Sequence, residues 1–113
     1  IIDNDNNEYS ENKINKIFST KIQGNLIIEP KFVTNHITKT KEILVQDSNH
    51  NLYLITNQGK VLWKKKLNGK ILGEVKQVDL YKNGRLQMAF RTEDMFFILD
   101  RNGKIVKPFS IKI

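Results

Sequence analysis

The 113-residue sequence contains no cysteine, two histidines, two prolines and a single tryptophan. Without cysteine there is no disulfide, no thiolate metal site and no thiol nucleophile. Cysteine-free chains occur in several compartments, so the compartment stays open. His36 and His50 stand far apart, so a zinc or copper centre would need carboxylates gathered by the fold. Turn positions are the simpler reading for both. No run approaches the roughly 18 to 20 apolar residues that cross a bilayer, and the opening IIDNDNNEYSENK lacks a basic region followed by an apolar one. Ser10, Ser19, Ser48 and Ser110 lie outside any Gly-x-Ser-x-Gly context, and no glycine-rich phosphate cradle is present.

What is there describes one globular unit. The hydrophobic share of 39% beside 27% charged residues is ordinary for a domain of this length. Nineteen basic against twelve acidic residues give a net charge of +7, which raises a basic surface for nucleic acid or anionic lipid as one alternative. Its distribution argues otherwise. Lysines occur along nearly the whole chain, and the dense group Lys64, Lys65 and Lys66 lies on a strand-like segment whose successive side chains point to opposite faces. Lysines placed so are what an exposed edge strand uses to discourage pairing with another molecule.

The sequence repeats itself. Shifted by 45 residues, Ile17–Asn35 falls on Leu62–Leu80: Lys21 meets Lys66, Gly24 meets Gly69, Glu29 meets Glu74, Val33 meets Val78, and Phe18 meets Trp63. The same offset carries Lys41–Val45 onto Leu86–Phe90, and an offset of 44 carries Leu52–Ile55 onto Phe96–Leu99 and Gly59 onto Gly103. One residue is lost in a polar turn, where insertions cost little. Repeats of this length are either helical pairs or four-stranded blades.

The local signals favour strands. One period reads Lys31–Asn35, Glu42–Asp47, Asn51–Thr56 and Lys60–Lys66; the next reads Val75–Tyr81, Leu86–Thr92, Met95–Asp100 and Lys104–Lys107. Turn formers separate them, among them Asn57-Gln58-Gly59 and Arg101-Asn102-Gly103. No apolar set recurs at helical spacing over the length a packed helix needs. Tyr53, Ile55, Phe97 and Leu99 fall on one face of their strands, and Leu52, Leu54, Phe96 and Ile98 on the other. Strands apolar on both faces belong in a sheet packed between two others.

Leu52–Trp63, LYLITNQGKVLW, resembles the repeat of quinoprotein-like (pyrroloquinoline-quinone-type) β-propellers, and Met95–Val106, MFFILDRNGKIV, resembles it again. Thr56 stands where the pattern has Asp, which Asp100 restores, and Lys107 occupies the tryptophan position of the second copy. The resemblance implies an all-β fold of antiparallel four-stranded blades, a partial β-propeller of about two and a half blades. Residues 1–12 are then a disordered tail, 13–22 the outer strand of a preceding blade, and 30–66 and 75–113 two blades. Its structural signature is Gly24, Gly59, Trp63, Gly69 and Gly103. Gly59 and Gly103 serve tight turns between the third and fourth strands, and Trp63 with Phe18 fills space between blades.

Candidate sites fall to simpler readings. Asp3, Asp5 and Asn7 alternate like the first ligands of a calcium loop, but Glu8 and Ile14 occupy its glycine and glutamate places. Asp47, Asn49 and Asn51 alternate where a turn needs such residues anyway. Glu29 and Glu74 recur in each period, which predicts a structural duty such as accepting backbone amides at the start of the innermost strand. The expected function is a non-catalytic scaffold with a protein partner, no small-molecule substrate and no cofactor, using loops at one end of the blades. Exposed end faces predict oligomers or packing against further parts. Part of a quinone-dependent dehydrogenase is the alternative, and the resemblance leans toward the cell envelope or periplasm.

Overall fold

Short apolar runs broken by turns rich in Asn and Gly fold here into hairpins. A computed structural model describes residues 25–113. It has eight strands, β1 (Lys31–Thr34), β2 (Lys41–Gln46), β3 (Asn51–Ile55), β4 (Val61–Lys66), β5 (Leu72–Val78), β6 (Gln87–Arg91), β7 (Met95–Leu99) and β8 (Ile105–Lys112). They form two antiparallel four-stranded sheets, β1-β2-β3-β4 and β5-β6-β7-β8, each in sequence order and each open. There is no helix among the described residues.

The repeat seen in the sequence returns as pairing register. Ile43 faces Ile55, Leu44 faces Leu54, Val45 faces Tyr53 and Gln46 faces Leu52. One period later Met88 faces Leu99, Ala89 faces Ile98, Phe90 faces Phe97 and Arg91 faces Phe96. The first pair of each sheet matches too: Lys31–Leu44 and Phe32–Ile43 become Lys76–Ala89 and Gln77–Met88. A one-residue slip would have turned every side chain to the wrong face, so the shared register preserves the apolar pattern.

Two strands of the second sheet differ from the sequence reading. β5 begins at Leu72, which pairs with Arg91 across a bulge, and stops at Val78. It stops because Asp79 accepts the amides of Asn83 and Gly84, while the Leu80 amide goes to the Gln87 side chain. β8 runs to Lys112, where the sequence pointed to Lys107. Pro108 has no N–H for the ladder, and the register shifts between Phe97 and Leu99 to let the strand continue beyond it. The reading of residues 1–12 and 13–22, like Gly24 and Phe18, lies outside the described residues.

The main core lies between the sheets. Leu44, Leu52 and Leu54 of the first meet Met88, Phe90, Phe97 and Leu99 of the second, with Leu67 and Ile71 of the connecting segment. The rings of Phe90 and Phe97 lie 5.4 Å apart, tilted by 31°. Ile43, Val45, Tyr53 and Ile55 form a second buried cluster on the opposite face of the first sheet, with Leu26 and Val61 against it. The first strands of the two sheets, β1 and β5, are neighbours.

Candidate interaction surfaces

The β3–β4 and β7–β8 turns are built alike from different residues. Thr56 Oγ1 accepts the amides of Gln58 and Lys60, and Asp100 Oδ1 accepts those of Asn102 and Lys104. A hydroxyl and a carboxylate therefore do the same work where the sequence pattern departed from itself. Gly59 and Gly103 take φ of 86° and 81°, where other residues are strained.

Trp63 joins the sheets. Its Nε1 donates to the Arg101 carbonyl at 2.8 Å, and its ring lies so close to Gly103 that a Cβ there would sit 2.8 Å from Cδ2. Glycine is thus needed at Gly103 twice, for its backbone and for the indole. Beside it the Arg101 guanidinium meets the buried Glu42 carboxylate at 2.8 Å, and Asn35 Nδ2 donates to the same oxygen at 3.0 Å. Gln77 closes a two-bond bridge to Thr34, taking its amide and donating to its carbonyl. His36 Nδ1 accepts the Leu86 amide. At the other end of the sheets Gln46 donates to the Gly69 carbonyl and accepts the Ile71 amide, each at 2.8 Å.

Alternating hairpins put the β1–β2, β3–β4, β5–β6 and β7–β8 loops at one end. There Ile37 is 72% exposed and Tyr81 60%. At the same end His36, Ile37, Arg85, Leu86, Asp100 and Arg101 line a concavity of ≈ 380 Å³. Asp79 fixes the β5–β6 loop: the Gly84 amide, followed by those of Asn83 and Lys82 and the nearby His36, holds its carboxyl below the usual range.

The sequence-selected groups scatter over different duties. Asp47 is buried. Burial opposes its ionisation, yet the Tyr53 hydroxyl, the Asn51 amide and side chain and the Asn49 amide outweigh that and lower its pKa. Those four donors occupy its oxygens, so it anchors its turn. Among the described residues no three of His, Asp and Glu gather as metal ligands. Glu29 and Glu74 are exposed, and among the described residues neither is seen to accept a backbone amide. Gly69 has ordinary room, with Thr92 Cβ 3.8 Å from a Cβ placed on it. Sequence reasoning missed the Glu42–Arg101–Asn35 cluster and the Ile37–Tyr81 end, which pair distant residues with no shared motif. No known protein family, curated protein or solved structure matches the chain.

Proposed function

We propose that this chain is a non-catalytic protein-interaction scaffold, its two sheets being successive blades of a β-propeller and its loop end the contact surface. The common register of the two sheets and their packing through Trp63 support the blade reading. The function rests on one observation, the exposure of Ile37 and Tyr81 at the loop end that also carries an arginine-bearing concavity. Exposed aromatic and aliphatic side chains beside arginine are the composition that anchors protein partners.

A photo-crosslinking residue placed at Ile37 or Tyr81, in the cells that make the protein, tests this reading. The same discrete protein adduct is expected from both positions, absent from Lys64, and lost with Arg85→Glu in a chain that still folds. Adducts to nucleic acid whose yield falls steeply with salt would favour the basic-surface alternative. Turnover of an alcohol or sugar by the purified chain with added pyrroloquinoline quinone and calcium would overturn the scaffold.

A further inference from the structure

The repeat gives the stack of sheets a direction. The face of the first sheet that carries Leu44, Leu52 and Leu54 is covered by the second. Its equivalents one period on are Ala89, Phe96 and Ile98, on the far face of the second sheet. That face has no sheet against it among the described residues. Leu72 is 39% exposed beside it, and an open groove of ≈ 670 Å³ runs over Ala89, Arg91 and Phe96. Conversely, Ile43, Val45, Tyr53 and Ile55 are equivalent to Met88, Phe90, Phe97 and Leu99, the face that receives a preceding sheet.

We infer that the open face is a docking surface for one further antiparallel sheet of this repeat, presenting a face of the Met88-Phe90-Phe97-Leu99 kind. This rests on the blade reading above and adds what covers the face. The established joint supplies the argument, because the same register and alternation already bring these two kinds of face together once. The new joint differs in its lock. Lys107 stands in the sequence place of Trp63, and Lys76 and Arg91 flank the groove with Glu74 as the one acid lining it. The incoming sheet therefore meets a cation where the first joint has an indole, and carboxylates on its rim fit best.

Absence of native cysteine makes the test clean. Ala89→Cys is labelled with a thiol reagent in the 113-residue chain and in the same chain extended after Ile113 by a second copy of Asn68–Ile113. The thiol introduced by Ala89→Cys is expected to react at least about 10-fold more slowly in the extended, monomeric chain, since a packed sheet excludes reagent from its core. Lys64→Cys should react equally in both, and Lys107→Trp should deepen the protection by offering an indole to the added glycine turn. Equal reactivity of the Ala89→Cys thiol in the two chains overturns the inference, whether the added repeat folds or gains no strand signal even with Lys107→Trp. Protection in the unextended chain that grows with concentration overturns it as well, and assigns the face to a second copy. The lone Trp63 separates the two readings: solvent-exposed indole fluorescence sinks the blade reading, whereas shielded fluorescence with a reactive Ala89→Cys thiol sinks this inference alone.

Discussion

The two sheets share strand order, register and turn construction, yet among the described residues the first is enclosed on both faces and the second on one. Leu44 and Leu52 have 0% exposure, whereas their counterparts Ala89 and Phe96 are half-buried on the face beside exposed Leu72. The side chains record the difference. Gln46, on the covered face, reaches across to Gly69 and Ile71. Its counterpart Arg91 turns back to the carbonyls of Thr92 and Glu93 in its own loop. Trp63 docks on the neighbouring turn, while Lys107 is exposed. Equal backbones thus carry unequal surfaces.

The largest expected effect breaks the comparison at the core. Leu54→Ala leaves a void between the sheets and should cost about 3 kcal/mol in urea unfolding, within the usual range for buried leucine. Ile98→Ala, one period later, should cost less than half of that. Ile98 is buried but belongs to neither core cluster, and among the described residues its face has no second sheet to leave a cavity against. Equal losses would show that the second sheet is as fully enclosed as the first. A smaller effect separates two glycines of the repeat signature. Gly103→Ala places a methyl group against the Trp63 ring at φ +81° and should cost about 2 kcal/mol. Gly69→Ala meets only ordinary contact and should stay within about 0.5 kcal/mol.

That pair also shows how far the sequence could be read. The strands and their alternation were legible because each hairpin declares itself locally, by an apolar run such as LYLI and a turn such as NQG. Gly59 and Gly103 were legible for the same reason. Gly69 shares their repetition but not their backbone, and only the fold tells the two apart. Pro108 hid the end of β8, because a bulge that absorbs a missing N–H depends on the neighbouring strand. Glu42 and Arg101 are 59 residues apart and occur once, so no repetition could announce their contact. The exposed end was legible only as loops, since exposure of Ile37 and Tyr81 depends on what packs beside them.

A third prediction uses pH. Asp47 in the first sheet corresponds to Thr92 in the second, both fully buried. The Asp47 pKa is lowered from 3.8, so its contribution is complete above that value and is lost as pH falls through the lower folded value. Asp47→Asn should cost about 1–2 kcal/mol at neutral pH, because one amide side chain cannot accept all four donors. Below pH 4 the difference between the two proteins should shrink. The exposed Asp79 titrates in the same direction and remains in both, so the comparison isolates Asp47. A constant difference down to pH 2 would remove the ionised carboxylate from this explanation.

The last comparison concerns Phe96, the counterpart of Leu52. Phe96→Ser removes a large apolar side chain from the open groove and should change the stability of the chain by less than about 1 kcal/mol. Leu52→Ser, into the closed joint, should cost about 3 kcal/mol or more, since it loses apolar burial and hides a hydroxyl. The ratio measures how unequal the two faces are. If another sheet covers Phe96, the two costs converge in the covered state, because the same register then gives both side chains the same surroundings. A cost for Phe96→Ser in the chain alone that already equals that of Leu52→Ser would mean the groove is closed without any partner.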